Sequence, residues 1–366
     1  MSKSDHLLYM RRCLQLASEG AGSVSPNPMV GSVIVCNGEI IGEGFHQKFG
    51  GPHAEVNAIA SVSNQALLHR STLYVNLEPC SHFGKTPPCS DLIIEKGIPR
   101  VVIGCRDPHV AVAGKGAAKL IAAGIEVTEG VLEAESKKLN EAFITSHTTG
   151  MPFVALKLAE TLDGKIATSQ GASQWITGEH ARKEVHHLRS IYDAVIIGEA
   201  TVCADDALLT VRHSSGRNPL RVVLDRQLQV PPTAKIFGSE AETILFASSL
   251  CSGLPKVEQL RQIGVTVLFV NERSEKLDLR QVLHELHSRN ILSVMVEGGS
   301  RLSAAFIVEK LVDKIYMFIA PKLFGGDGLS SFAQLGITVP DEAVNLQFEA
   351  PRFFGSDLLL EAYLIK

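Results

Sequence analysis

The sequence predicts an α/β chain of two domains, and three observations lead there. At 366 residues it is longer than one hydrophobic core ordinarily spans. Short apolar runs alternate with segments of helical period, and the alternation starts twice. Between the two series, Ser146-His-Thr-Thr-Gly-Met-Pro152 is polar and rich in breakers, which places one domain at 1–146 and another at 151–366.

In the first half, Leu7, Met10, Leu14 and Ala17 recur at helical spacing, so 4–20 reads as an amphipathic helix. A loop with Pro26-Asn27-Pro28 leads into a strand over 30–36. Asn37-Gly38 is a strong hairpin turn, returning through 39–44. A helix follows over 53–61, then a strand at 72–77, a helix over 89–97 and a strand over 100–105. A helix at 116–123, a strand at 125–128 and one helix from 133 to 145 complete a three-layer α/β domain. The second half alternates again. Strands are expected at 153–158, 193–197, 220–224, 243–247, 265–270, 293–296 and 313–320. Helices are expected at 179–191, 256–263, 277–289 and 301–310, with an antiparallel edge pair in the last twenty residues.

Composition bounds the function. Hydrophobic residues make up 45% and charged residues 20%, as in ordinary globular proteins. A net charge of −4 without a dense Lys/Arg run argues against nucleic acid as a partner. Seven scattered cysteines do not form a disulfide framework and fit reduced thiols. No apolar run reaches the length of a membrane span, and the N-terminus has no signal-peptide core. These features point to a cytoplasmic protein with no membrane partner.

The chemistry of the first half centres on His53-Ala54-Glu55, Pro79-Cys80 and, after an eight-residue loop, Cys89. One imidazole and two thiols suit Zn²⁺, and three protein ligands leave a position open for water, as catalytic zinc requires. Glu55 is not needed as a ligand and can move the water's proton to a leaving amine. Both ligand-bearing segments stand at expected helix starts, where the helix dipole favours thiolates. Two plainer readings stand beside this one. A structural zinc knot would take His82 as a fourth ligand but leaves Glu55 unexplained; buried metal-free cysteines are the other. The order His-x-Glu, Pro-Cys, Cys resembles the signature of the zinc nucleobase deaminases.

Three stretches stand out in the second half. Glu297-Gly298-Gly299-Ser300 follows an apolar strand and opens a helix, so its amides suit an anion, though a tight turn without a ligand is as common. Asp205-Asp206-Ala-Leu-Leu-Thr-Val-Arg212 ends on an arginine able to clamp a phosphate; taken alone it reads as a solvated loop. Ser173-Gln-Trp175-Ile-Thr177 carries the one tryptophan, either a cover for a flat ring or a core residue, and Thr177 reads as a helix N-cap. Lys157 is either an edge-strand charge or a site cation.

Together these stretches resemble, over essentially the whole chain, the bifunctional riboflavin-biosynthesis family that joins a diaminohydroxyphosphoribosylaminopyrimidine deaminase to a 5-amino-6-(5-phosphoribosylamino)uracil reductase. The likeness rests on Pro26-Asn-Pro-Met-Val-Gly31, His53-Ala-Glu-Val56, Leu77-Glu-Pro-Cys-Ser-His-Phe-Gly-Lys-Thr-Pro-Pro-Cys89, Leu156-Lys157, the Ser173–Thr177 and Asp205–Arg212 runs and Val296-Glu-Gly-Gly299. It implies a cytidine-deaminase-like first domain with one Zn²⁺ and a dihydrofolate-reductase-like second domain using NADPH. The implied substrate is a small phosphorylated pyrimidine, and a homo-oligomer through the second domain is implied as well. In the first domain the resemblance makes His53, Cys80 and Cys89 zinc ligands and Glu55 catalytic, with Asn27, His46, His82 and Lys85 around the substrate. In the second, Ser173, Arg189, Leu209, Arg212 and Glu297, with Lys157 beside them, meet substrate. Ala159, Trp175, Thr177, Thr201, Asp205, Gly299, Ser300, Arg301 and Leu302 meet cofactor, and Arg226 is where a 2′-phosphate contact is sought. One departure is visible: Ala207 stands where the family pattern has proline. A polynucleotide or nucleoside deaminase with an accessory domain is the alternative. Charge disfavours it, and so does the loop, since such deaminases usually have two residues between the cysteines.

Overall fold

Val33 and Val35 face one side of a strand and Ile34 the other, and that alternation builds the first unit. The structure is a computed structural model that describes residues 3–81, 87–108 and 113–365. Strand β1 (Gly31–Cys36) sends Val33 and Val35 into a cluster with Tyr9, Met10, Cys13 and Leu16 of helix α1 (Lys3–Ser18). Ile34 enters the opposite cluster, which holds Ala58 and Ile59 of α2 (Ala54–Ser61), Ile93 of α3 (Cys89–Glu95) and Leu120 of α4 (Lys115–Ala122). Strands β2 (Glu39–Phe45), β3 (Thr72–Leu77), β4 (Arg100–Cys105) and β5 (Glu126–Glu129) complete a sheet of order β2-β1-β3-β4-β5. The β1–β2 and β1–β3 pairs are antiparallel; β3–β4 and β4–β5 are parallel. Asn37 and Gly38 both take positive φ, 54° and 84°, the turn that a two-residue hairpin demands. Two faces covered by helices make the three layers expected.

The single helix expected over 133–145 is two, α5 (Glu133–Leu139) and α6 (Glu141–Thr149). Asn140 breaks them at φ −105°, ψ 23°, its side chain drawn off to Met29. Ser146–Thr149, read above as breaker-rich linker, is the last turn of α6, and Gly150 ends it in the left-handed region. The chain divides into units Met1–Gly150 and Met151–Lys366.

The second unit begins with β6 (Phe153–Thr161), β7 (Lys165–Ala167), α7 (Glu179–Ile191), β8 (Ala194–Gly198) and α8 (Glu199–Asp205). Strands β9 (Leu220–Leu224) and β10 (Thr243–Ser248), helix α9 (Pro255–Gln262) and strand β11 (Thr266–Val270) follow. A small hairpin, β12 (Glu272–Arg273) and β13 (Lys276–Leu277), precedes α10 (Leu279–Ser288), β14 (Ser293–Val296), α11 (Ser300–Val308) and β15 (Lys314–Ala320). Then come β16 (Leu329–Ser330), β17 (Leu346–Phe348), β18 (Arg352–Phe354) and β19 (Asp357–Leu364). The main sheet runs β11-β10-β9-β8-β14-β6-β15-β19-β17, parallel as far as β15, and β17 and β18 both pair antiparallel with β19. Buried on both faces, its central strands read as nearly unbroken apolar runs. Leu156 and Leu158 of β6 share a core with Val282 and Leu286 of α10 and Phe306 of α11. The carboxyl ends of β8, β14 and β6 lie side by side, where open α/β sheets hold their ligands. Among the described residues no helix is long and apolar enough to cross a membrane.

Candidate functional site

His53 occupies the N-cap of α2 and Cys89 the first position of α3, while Cys80 lies in irregular chain after β3. Cys89 Sγ is 3.3 Å and Cys80 Sγ 3.6 Å from His53 Nδ1, and all three atoms lie within 4.8 Å of one another. A tetrahedral zinc with ordinary Zn–S and Zn–N bonds needs sulfur-to-nitrogen edges of about 3.6 Å, so the donors present fit that ion. The Cys89 thiol, then His53 and the Cys89 amide (3.2 Å from the sulfur), hold the Cys80 thiol down to about 4. The shift is toward the thiolate, the form that binds metal, while Cys89, hydrogen-bonded to it, is pushed the other way.

Glu55 is on the first turn of α2, 3% exposed and hydrogen-bonded to Cys89. Burial pushes its carboxyl above the usual range, and the negative charge of Cys80 adds to that. Beside His53, His46 is buried, and the two rings meet edge-on at 5.6 Å. His46 Nδ1 donates to Pro52 O at 2.9 Å, leaving Nε2 to accept from Asn27 Nδ2 at 2.9 Å. Burial lowers the His46 pKa, so this neutral tautomer is held, and Asn27 is aimed by it. His82 and Lys85 lie outside the described residues.

In the second unit Lys157, Arg189 and Glu297 meet. Arg189 Nε and Nη2 donate to the two oxygens of Glu297 at 2.6 and 2.9 Å, and Lys157 Nζ stands 3.5 Å from Oε2. All three side chains are mostly buried, at 15%, 11% and 8% exposure for Lys157, Arg189 and Glu297. Burial opposes the Glu297 charge, but Arg189 and then Lys157 outweigh it and pull the carboxyl down to about 2. Burial moves the Lys157 ammonium the other way, downward. Two cations around one acid leave a positive excess. The edge-strand reading of Lys157 is overturned, because β6 is an interior strand between β14 and β15.

Arg212 is exposed and tied in through its amide, which donates to His186 Nδ1 at 3.2 Å. The run before it is not a solvated loop: Leu209 and Thr210 are buried. Ser173 hydrogen-bonds the Asp205 carboxylate. Trp175 is not a core residue; it is 64% exposed, with the Arg182 guanidinium 4.5 Å over its ring. Thr177 is not the N-cap of α7. That position belongs to Gly178, without a side-chain cap, and the Thr177 carbonyl accepts from Arg182 at 2.8 Å. Gly299 is the N-cap of α11, and a Cβ placed on it meets only Thr201 Oγ1, at 3.5 Å. With an extended backbone (φ −74°) and room for a side chain among the described residues, Gly299 is suited to a group arriving from outside. A Cβ on Gly298 would lie 2.7 Å from Leu302 Cδ2, so that glycine serves packing. Ala159, two residues before the end of β6, is half-buried, Ser300 is buried and Arg301 exposed. Arg226 has its charge matched by Glu272 at 3.1 Å.

Sequence reading missed Glu78, Asn140 and His186. A carboxylate directly after the fully buried strand Thr72–Leu77 was the available signal for Glu78. The other two carry no local mark.

Residues 3–105 match the family model of the cytidine and deoxycytidylate deaminase zinc-binding region, and residues 152–360 match the RibD C-terminal domain. The chain is 43% identical over 358 residues to the riboflavin biosynthesis protein RibD of Actinobacillus pleuropneumoniae, covering 98% of this chain and 95% of the relative. It is 44% identical over 354 residues to that of Aquifex aeolicus, covering 96% of each. Among solved structures it is similar to Acinetobacter baumannii RibD, with a TM-score of 0.90 and 36% identity over the whole of both chains. It is also similar to a diaminohydroxyphosphoribosylaminopyrimidine deaminase/5-amino-6-(5-phosphoribosylamino)uracil reductase from Thermotoga maritima, with a TM-score of 0.88, 42% identity and 99% of each chain covered.

Proposed function

This chain belongs to the RibD family of riboflavin biosynthesis proteins and is a bifunctional deaminase and reductase, and from that premise we propose which residues carry each reaction. In the first unit His53, Cys80 and Cys89 hold one Zn²⁺, which when bound supplies hydroxide near neutral pH. Glu55 holds and passes the proton, a task its burial-raised carboxyl suits. Asn27 and His46, and from the segment outside the described residues His82 and Lys85, hold the substrate. That substrate is 2,5-diamino-6-ribosylamino-4(3H)-pyrimidinone 5′-phosphate. Water replaces the 2-amino group by a carbonyl oxygen, and ammonia leaves.

The second unit then reduces the ribosyl side chain to ribityl, with NADPH as the source of hydride. Thr201, Gly299, Ser300, Arg301 and Leu302 hold that cofactor, with Ala159, Trp175, Thr177 and Asp205. Ser173, Leu209, Arg212 and the cluster Lys157–Arg189–Glu297 hold the substrate, and the positive excess of that cluster suits its phosphate. The protein acts in the cytoplasm, a reading supported by its seven unpaired cysteines. It acts as a homo-oligomer, supported by Phe348 and Phe353 at 57% and 74% exposure on the antiparallel strands of the second unit.

The observation that carries this reading is the meeting of one imidazole, two thiols and the buried Glu55. The test is NADPH oxidation by the intact protein and by Glu55→Ala, each given the diaminopyrimidinone phosphate. Oxidation in the first and none in the second is expected. Oxidation in both would reverse the order of steps, and oxidation in neither, with ammonia still released, would remove the reductase assignment.

A further inference from the structure

Of the three zinc-ligand residues, Cys80 alone neither lies in a helix nor caps one, so something else must fix it. On one side it is held by α3: Ser90 N donates to Cys80 O at 3.1 Å and Cys89 N to its sulfur at 3.2 Å. On the other side stands Glu78, two residues earlier, 4% exposed. Its Oε1 accepts from Gly116 N at 2.9 Å and Ala117 N at 3.1 Å; its Oε2 accepts from Gly114 N at 2.9 Å and Asp107 N at 3.3 Å. The first amides of a helix have no partner within it, and α4 has no side-chain cap of its own at Gly114. Glu78 therefore caps α4 from nearly forty positions away, with its charge placed at the positive end of the helix.

The clamp reaches the metal-bearing turn through Pro79. A Cβ on Gly116 would lie 2.0 Å from Pro79 O, so the start of α4 rests directly against that carbonyl. The chain from Glu78 through Pro79 to Cys80 is thus pinned on the α4 side before the sulfur reaches His53 and Cys89.

We propose that Glu78 is a positioning residue for the zinc centre: by binding the start of α4 it holds Cys80 where the ion is captured, and without it the ion is released faster. This rests on the zinc reading above. The experiment measures zinc transfer from zinc-loaded full-length protein to a chromogenic chelator, at a temperature well below unfolding. Wild type is compared with Glu78→Ala, Glu78→Gln, Glu78→Asp and Gly116→Ala. Zinc affinity is expected to fall about 10–100-fold in the first two, as for loss of other groups that orient metal ligands, and to be partly restored in Glu78→Asp. Gly116→Ala, which keeps the Glu78 carboxyl group but crowds Pro79 O at 2.0 Å and Glu78 Oε1 at 3.2 Å, is expected to weaken zinc too, and it keeps the proposal testable should the first two fail to fold. NADPH oxidation with the deaminated substrate reports an intact second unit, and the urea-unfolding transition of each variant reports that the first unit is folded. A role confined to stability lowers the unfolding midpoint and leaves zinc affinity at wild-type level, and that result overturns the proposal. Wild type that binds no zinc overturns the reading beneath it as well, and is told apart by that first measurement.

Discussion

Arg189 and Glu297 are 108 positions apart in sequence and form a two-pronged ion pair, Nε to Oε1 at 2.6 Å and Nη2 to Oε2 at 2.9 Å. The pair joins helix α7 to the turn after β14, and Lys157 of the interior strand β6 completes it. A carboxylate so enclosed has its charge already matched. It is placed to fix the Arg189 guanidinium more than to steady a cation forming on substrate.

Glu297→Gln is accordingly expected to leave two buried cations without their acid. Breaking a buried pair from one side costs about 3–5 kcal/mol. Urea unfolding of the full chain should show the loss, and reductase turnover should fall with it. Wild-type stability together with wild-type turnover would leave Glu297 without either role.

The same carboxyl sets an acid limit. Its folded pKa, about 2, lies below the ordinary carboxylate value, so the folded state binds the proton less readily than the unfolded. The stabilisation is complete above the ordinary range and is lost as pH falls from about 4.5 toward 2. Urea midpoints measured from pH 7 to pH 3 should fall more steeply in wild type than in Glu297→Gln over that window. Parallel curves would place the acid sensitivity elsewhere.

His186 sets a second, milder limit. Burial, then Arg189, His213 and Arg212, lower its pKa to about 4 against the weaker pull of Glu297, so it is neutral and accepts the Arg212 amide at Nδ1. For a base with a lowered folded pKa, stabilisation is present above its unfolded value and lost as pH falls from about 6.5 to 4. His186→Ala removes the acceptor and should raise the reductase KM about tenfold, one hydrogen bond's worth, with kcat changed less. His186→Asn retains an acceptor oxygen and should recover part of the loss. Equal KM in all three proteins would mean that Arg212 is placed by other contacts.

The first unit was legible where the chemistry is local. His53 and Glu55 share one helix start, Cys80 and Cys89 flank one loop, and the fully buried strands announce themselves by composition. What escaped was set by distance. Nothing near Asn140 says that its side chain accepts from Met29 N at 2.8 Å and donates to Met29 O at 2.9 Å, 111 positions back. That pairing ended α5 early and broke an expected single helix. In the second unit the glycines of 298–299 were legible as a turn, whereas the burial of Lys157 depended on which strands flank β6, information no single segment carries.

Asn140 also fixes the loop that bears Asn27. Met29 O accepts from Asn76 Nδ2 as well, at 3.0 Å, so two buried amides hold one backbone unit. Asn140→Ala leaves Met29 N–H without that acceptor, a loss of about 1–3 kcal/mol. Ammonia release should fall while NADPH oxidation with deaminated substrate is spared. A loss of both activities would show that Asn140 supports more than the deaminase.

Glu55 gives the sharpest separation of binding from chemistry. It is buried beside Cys89, and its carboxyl is raised by burial and by the Cys80 charge. Glutamine has nearly the same shape and cannot carry the proton. Glu55→Gln should therefore keep zinc and lose about 10²–10⁴-fold in ammonia release, the usual size of a general acid–base contribution. Removing zinc from wild type with a chelator should also stop ammonia release, but reversibly, and NADPH oxidation with deaminated substrate should persist in both cases. If Glu55→Gln released ammonia at the wild-type rate with zinc bound, the proton would have to travel by another group. His46 is a poor substitute, because Nδ1 is committed to Pro52 and Nε2 to Asn27. Residual activity should then follow the bulk pH as exchange with water would, with no plateau belonging to a buried acid.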